Sequence, residues 1–302
     1  MTVDGQSFVL DGRRLWLVSG AVPYARIPRG LWADRLRAAR QAGLNCIEAP
    51  VVWGLHEPRQ GSFNFEGDLD LAAFVTMIGE MRLQCILRVG PHVGDGYELG
   101  GLPAWLLADE STRLGLRSSE PAFLNAVSKF TGQVCDRVRD LQATSPRRVA
   151  GGPIVLVQSE HHWFCGDPHQ AQAYLREIER YLREDGITVP ISNSNNLFAS
   201  AEGQVDGWFA DHHLFANLRQ LRTVRPDHPR LLTGLPLGPT PVLGRATGEP
   251  MAARSALPRL AEVLASGAQF NLSPFAGGSG LWGCTGETDD GAGGDGGAGG
   301  GG

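Results

Sequence analysis

Short apolar runs rich in β-branched residues alternate along the chain with longer segments in which apolar positions recur at helical spacing. In the segment 32–42, for example, Leu36 and Ala39 lie at the spacing of one helix face. The alternation predicts repeated strand–helix units and therefore a parallel sheet. The predicted strands are 15–19, 46–52, 85–89, 154–158, 189–192, 208–211, 231–233 and 270–273, and the predicted helices are 32–42, 69–81, 122–141, 171–184, 214–221 and 257–265.

Eight strands in this order fit a (β/α)₈ barrel (TIM barrel), whose reactive groups lie at the carboxyl ends of the strands. A doubly wound open sheet is the alternative fold. The G-x-G-x-x-G signature that such sheets carry after their first strand is absent from this sequence. The barrel is therefore the preferred fold.

The end of the chain is rich in glycine: residues 291–302 contain nine glycines in twelve positions. Such a segment has the composition of a flexible linker. We expect one barrel domain over residues 1–285 and a disordered tail over 286–302, with the closing C-terminal helix missing or replaced. Without that helix the outer wall of the eighth strand exposes an apolar strip, which predicts self-association unless Leu281 and Trp282 cover it.

Composition narrows the function classes. Hydrophobic residues make up 42% of the chain, and no stretch approaches the ~18 uninterrupted apolar residues of a membrane span. The net charge is −5, and the basic residues form no sustained cluster of the kind that phosphate backbones require. We therefore expect neither a membrane nor a nucleic acid as a partner.

The five cysteines are widely spaced and form no C-x-x-C pair, so we expect them to be reduced core residues. The N-terminus shows no basic segment followed by a long apolar one, so no signal peptide is visible and a cytoplasmic location is expected.

Five ordered segments carry a family resemblance. They are SGAVPYARIPRG (19–30), VVWGLHEPRQGSFNFEGDLDL (51–71), LRVGPHVGDGYELGGLPAWLL (87–107), GGPIVLVQSEHHW (151–163) and GAQFNLSPFAGGSG (267–280). Together they resemble the catalytic barrel of glycoside hydrolase family 35, the β-galactosidases, over roughly residues 8–285. The resemblance implies the same (β/α)₈ barrel and a carbohydrate ligand, with no cofactor.

The resemblance also implies where the chemistry lies. Retaining glycosidases need two carboxyl groups about 5–5.5 Å apart, one as nucleophile and one as acid/base. The family's acid/base position, after the fourth strand, is His162 here, and its nucleophile position, at the seventh strand, is Gly234. An imidazole can transfer a proton, but glycine has no group that attacks an anomeric carbon. We expect the two positions to face each other across the barrel mouth without β-galactosidase chemistry.

Positions that contact the sugar in the family are substituted as well: by resemblance they are Pro50, Gly96, His161, Pro236 and Ser273. Framework positions such as His56, Glu57 and Trp105 are kept. This separation predicts a carbohydrate-binding or regulatory pseudo-enzyme. The candidate substrate-binding residues are His161, His162, Trp163, His92, Gly96, Pro50 and Ser273.

Two alternatives remain at this stage. In the first, the chain is an active glycoside hydrolase in which His162 is the acid and a displaced carboxylate activates water across ~6.5–9.5 Å. The candidate carboxylates are Glu160, Asp95 and Asp211, although Glu160 also occupies the position of a structural carboxylate in the family. In the second, more distant alternative, histidines near the mouth hold a transition metal. These histidines are His92, His161, His162, His212 and His213.

Overall fold

The barrel is built from eight parallel strands that close on themselves. The computed structural model describes residues 1–94, 96–147, 151–164, 168–237 and 252–277. A small antiparallel sheet at the N-terminus contains β1 (Thr2–Val3), β2 (Phe8–Leu10) and β3 (Arg13–Leu15). The barrel strands are β4 (Val18–Ala21), β5 (Cys46–Pro50), β6 (Gln84–Gly90), β7 (Ile154–His161), β8 (Ile191–Ser194), β9 (Val205–Phe209), β10 (Leu231–Leu235) and β11 (Gln269–Leu272).

Helices follow the strands and form the outer layer. They are α1 (Trp32–Gln41), α2 (Trp53–His56), α3 (Leu71–Glu80), α4 (Glu110–Leu114), α5 (Pro121–Val138), α6 (Pro168–Glu184), α7 (Leu214–Val224) and α8 (Ala253–Ala265). The main helix α1 buries Trp32, Leu36 and Ala39, which is the face its apolar spacing predicts. Asp70 begins α3 by accepting a hydrogen bond from the Ala73 N–H at 2.9 Å. The predicted (β/α)₈ barrel is confirmed, and its closure excludes the open sheet.

The first barrel strand lies further along the chain than predicted. The segment predicted as one strand, 15–19, divides between β3, which pairs with β2, and β4, which pairs with β5 and β11. Asp11 and Gly12 join β2 to β3 with φ values of 50° and 75°. A two-residue Asp-Gly turn of this kind is a strong hairpin signal. The resulting hairpin places Phe8 under the barrel, against Leu17, Cys46 and Ile86.

Polar side chains occupy the centre of the barrel. Glu48 on β5 and Arg88 on β6 form an ion pair, and the two residues are 1% and 0% exposed. The amide of Asn271 on β11 donates to the second oxygen of Glu48 and, at 3.0 Å, to the Thr233 carbonyl on β10. Arg88 also donates to the Val93 carbonyl at 2.7 Å. The network therefore connects neighbouring strands on both sides of the closure between β11 and β4.

A small cavity lies beside this network. Its volume is about 10 Å³, and Glu48, Gln158, Ser192 and Asn271 are among its lining residues. That volume corresponds to about one water molecule. The barrel centre is therefore a packed core with no room for a pyranose ring.

Part of the wall around β11 is covered by α8. Phe270, on β11, is only 6% exposed and packs in a cluster with Val263 of α8 and Leu232 of β10. After β11 the backbone N–H groups of Phe275 and Ala276 donate to the Ala21 carbonyl of β4. Leu281, Trp282 and the expected tail over 286–302 lie outside the described residues, so self-association through this wall stays a prediction.

The described cysteines are core residues. Cys46, Cys85 and Cys135 are buried and unbridged, and burial raises the pKa of each thiol, in the case of Cys135 to about 12. Cys165 and Cys284 lie outside the described ranges. No helix in the described part of the chain combines the length and apolar composition needed to cross a membrane.

We expect Arg88→Met to destabilise the fold by about 3–5 kcal/mol, because it leaves the Glu48 carboxylate buried without its cation. Urea or guanidinium unfolding measures the change. The matched control is Arg37→Met, which removes a surface arginine paired with Asp34 and should leave the unfolding midpoint near that of the parent protein. Equal midpoints for the two variants would contradict the importance of the buried pair.

Candidate functional site

The end of β7 turns sharply at the barrel mouth. Glu160 and His162 have left-handed backbones, with φ values of 51° and 53°, on either side of the buried His161. Residues other than glycine rarely adopt this conformation, and it clusters at functional or strongly constrained sites. After this turn the Glu160 side chain contacts Tyr174 and Arg117, whereas the His161 side chain contacts His162.

The rings of His161 and His162 stack on each other with centroids 3.8 Å apart. The side-chain amide of Gln158 lies 3.1 Å from Nδ1 of His161. His162 Nε2 is buried, and no hydrogen-bond partner for it lies among the described residues. The His162 imidazole, at the position that the resemblance assigns to the acid/base, is thus part of a stack of rings.

Phe209, at the end of β9, lies against both positions that the resemblance assigns to catalysis, Gly234 and His162. A Cβ built on Gly234 would lie 2.2 Å from the Phe209 ring carbons Cδ2 and Cε2. The same ring makes an edge contact with His162, at 4.5 Å between centroids, and another with His161, at 5.7 Å. The phenylalanine ring therefore fills the space in which a side chain at position 234 would meet one at position 162.

Asn196 holds Phe209 in this place. Its Oδ1 accepts the Phe209 N–H at 2.7 Å, and its Nδ2 donates to the Phe209 carbonyl at 3.0 Å. Asn196 itself has a left-handed backbone, with φ of 50°. Two hydrogen bonds to one residue fix the end of β9 and with it the direction of the ring.

Glu160, beside the histidine stack, is hydrogen-bonded to residues of the outer layer. Its oxygens accept hydrogen bonds from Tyr174 on α6, from Arg117 at 2.8 Å and from the His161 N–H at 2.9 Å. The residue is fully buried. Both carboxylate oxygens of Glu160 therefore accept hydrogen bonds, and its role as a displaced catalytic carboxylate stays a prediction.

The loop after β6 approaches the same turn. His92 donates from Nδ1 to the His161 carbonyl at 2.9 Å, and Arg117 donates to that carbonyl at the same distance. His92 thus lies beside the histidine stack, as the strand order predicts. Gly96 in this loop has a φ of 69°, a value that favours glycine, and Asp95 lies outside the described residues.

Three other candidate ligand contacts lie away from solvent. Trp163 is 5% exposed, and its ring N–H donates to the Arg117 carbonyl at 2.8 Å, so it packs in the wall and presents no open face. Pro50 is buried within β5, and Ser273 is 4% exposed. All three residues are buried, and their role as substrate-binding residues stays a prediction.

The remaining acidic and histidine candidates are on the surface. Asp211 contacts the neighbouring His212 ring, and both side chains are largely exposed. Among the described residues no three His, Cys, Asp or Glu side chains are grouped so that they could share a metal ion. The metal alternative therefore has no donor set in that part of the chain.

Burial lowers the pKa of all three mouth histidines. The pKa of His92 falls to about 4, that of His162 to about 3, and that of His161 lies well below 6.5. Desolvation is the largest cause in each case, and the positive charges of Arg88 and Arg117 add to it. All three imidazoles are therefore neutral near pH 7.

Comparison with known proteins supplies the family. The sequence model described as "Glycosyl hydrolases family 35" matches residues 7–292. The chain belongs to glycosyl hydrolase family 35. It is 37% identical over 214 residues to human β-galactosidase-1-like protein 2, covering 71% of this chain and 32% of the relative. It is 34% identical to the β-galactosidase of Xanthomonas manihotis, covering 91% of this chain and 46% of that enzyme. The family 35 chain therefore spans less than half the length of these relatives.

Solved structures show the same barrel at lower identity. An exo-β-1,4-mannosidase from an Opitutaceae bacterium aligns over 90% of this chain and 54% of its own, with a TM-score of 0.67 at 15% identity. Endo-glycoceramidase II from a Rhodococcus species aligns over 88% of this chain and 74% of its own, with a TM-score of 0.61 at 16% identity. At these identities the likeness concerns the fold alone.

We expect Gly234→Ala to destabilise the barrel by about 1–3 kcal/mol, because the new methyl group forces the Phe209 ring from its contacts. Thermal or urea unfolding gives the change. Gly30→Ala is the matched control, since no atom lies within 4 Å of a Cβ there. Adding Phe209→Ala to Gly234→Ala should cancel part of the steric cost, and strictly additive effects would contradict a direct clash.

We expect acid to destabilise the protein through the mouth histidines. Above pH 6.5 they are neutral in both states and contribute nothing to the pH dependence. Below pH 6.5 these histidines bind protons in the unfolded state but stay neutral in the folded state, so the free energy of unfolding falls as the pH falls. The loss continues down to the folded-state pKa, about 4 for His92 and about 3 for His162. Each contributes at most about 1.4 kcal/mol per pH unit.

Unfolding free energies between pH 7 and 4 test this expectation. The combined His92→Gln and His162→Gln variant should show a shallower loss of stability than the parent protein, whereas the exposed-loop control His213→Gln should match the parent. A variant curve parallel to that of the parent would be the contrary result.

Proposed function

We propose that this family 35 barrel does not hydrolyse β-galactosides and instead binds carbohydrate in a non-catalytic or regulatory role. The observation that carries the proposal is the position of the Phe209 ring against both Gly234 and His162. A retaining reaction needs two carboxyl groups about 5–5.5 Å apart on either side of the glycosidic bond. Here one side has no side chain, and an aromatic ring takes up the space beside it.

The remaining group is a poor acid as well. A general acid is most effective when its pKa lies near the working pH. With a pKa of about 3, the His162 imidazole is neutral near pH 7 and lacks the imidazolium proton that a general acid would donate. Neither half of the two-carboxylate mechanism is therefore supplied at the family positions.

The contacts of the displaced carboxylates favour the same conclusion. Glu160 is held by Arg117 and Tyr174, and Asp211 is a surface residue paired with His212. An inverting mechanism needs a carboxylate free to activate water. Glu160 has both oxygens engaged, and Asp211 contacts His212 instead of a residue of the histidine stack. The role of carbohydrate binding rests on family membership, and the activity of a longer protein that contains this barrel belongs to the same proposal.

Hydrolysis of an aryl β-galactoside provides the test. We expect turnover at least ~10³-fold below the ~1–10³ s⁻¹ of ordinary enzymes, since loss of catalytic groups costs several powers of ten. The combined His162→Glu and Gly234→Glu variant should gain no activity, because Phe209 still fills the site. Turnover in the ordinary range would overturn the proposal. A rate that falls in Glu160→Gln or Asp211→Asn would assign it to a displaced carboxylate.

A further inference from the structure

Two exposed phenylalanines lie side by side on the rim of the barrel mouth. Phe164, after β7, is 50% exposed, and Phe198, after β8, is 63% exposed. Their ring centroids are 5.0 Å apart, and the ring planes are inclined by 59°. We call this pair the rim platform. Single exposed apolar side chains are ordinary, but a pair in contact beside a site is a feature of recognition surfaces.

The rim platform is continuous with the histidine stack. The Phe164 ring is nearly parallel to that of His162, at 5.6 Å and 19°, and His162 stacks on His161 in turn. Phe209 makes its edge contact with His162 from the other side. Phe209 and the outward-facing Phe164 thus both pack against the His162 ring.

Two residues with left-handed backbone conformations position the Phe198 ring. Asn196 and Leu197, immediately before Phe198, have left-handed φ values of 50° and 64°, and the Phe198 N–H donates to the Asn195 carbonyl at 2.9 Å. Asn196 is the residue that holds Phe209. Consecutive left-handed residues other than glycine persist where the surroundings determine them. The turn at Asn196 and Leu197 therefore positions both the buried-side ring of Phe209 and the exposed ring of Phe198.

We propose that the rim platform binds a hexopyranoside through the apolar C–H face of the sugar ring. This inference rests on the proposed non-hydrolytic function, which it deepens by moving the binding site from the blocked interior to the rim. Phenylalanine rings offer an apolar face and no hydrogen bond. Binding there depends on the ring shape of the sugar more than on its hydroxyl pattern, so it is weak and discriminates little between epimers.

The size of the rim platform favours a sugar over a protein. A fully buried phenylalanine removes roughly 150–250 Å² from solvent, so two half-exposed rings offer about 200 Å². Stable protein interfaces bury about 1,200–2,000 Å² in total. A second copy of the chain or a partner protein would need much more surface than these two rings provide.

Ligand-observed saturation-transfer NMR with titration tests the proposal. The probes are methyl β-D-galactopyranoside, methyl β-D-glucopyranoside and galactitol, an acyclic polyol without a ring face. We expect both pyranosides to bind with Kd values within about fivefold of each other and galactitol to show no transfer. The combined Phe164→Ala and Phe198→Ala variant should bind at least tenfold more weakly. Phe215→Ala, at a 52% exposed phenylalanine on α7, is the matched control and should bind as the parent does.

The outcomes separate this inference from the proposed function. Equal binding by the parent and the double variant would overturn the rim platform and leave carbohydrate binding in place. No binding by the parent would overturn both, and turnover of the aryl galactoside would overturn the non-catalytic role alone. Light scattering that shows an oligomer in the parent and a monomer in the double variant, without a sugar effect, would assign the rim platform to a second copy and overturn the proposal. Circular dichroism confirms that the variants fold.

Discussion

The ion pair between Glu48 and Arg88 is the constraint on which the barrel depends. Two opposite charges removed from water are tolerable only when their mutual geometry is good and the remaining polar atoms are satisfied. Here the strands adjacent to the closure supply those partners, because Asn271 binds Glu48 from β11 and the Thr233 carbonyl on β10 accepts from Asn271. A displacement of β11 relative to β5 would break this network, so the charges fix the register of closure as well as contributing to stability.

The same interior network affects the protonation of the histidines at the barrel mouth. The positive charge of the buried Arg88 helps to lower the pKa of His161 and of His162. Arg117 forms an ion pair with Glu160. Neutral imidazoles can then pack against one another and against Phe209. The described part of the mouth of this family 35 barrel is therefore lined by packed aromatic and imidazole rings.

Much of the fold could be predicted from the sequence, because apolar periodicity is a local property. The runs beginning at Cys46, Ile154 and Leu231 became barrel strands at the predicted starting residues. The arrangement of the candidate site was harder to predict from the sequence. The resemblance pointed to positions 162 and 234, but the contact of Phe209 with both could not be predicted, since it depends on strand register: β9 pairs with β10 so that Phe209 lies opposite Gly234. The burial of Trp163 and the binding of Glu160 by Arg117 likewise depend on contacts between segments distant in sequence.

The fit of Phe209 over Gly234 also constrains how the two strands can vary. A side chain added at position 234 meets the aromatic ring, and removal of the ring alone leaves an opening beside His162. Residues in direct contact do not respond to substitution independently. Positions 209 and 234 are therefore expected to change as a pair, with a larger residue on β10 tolerated only when the residue on β9 is smaller.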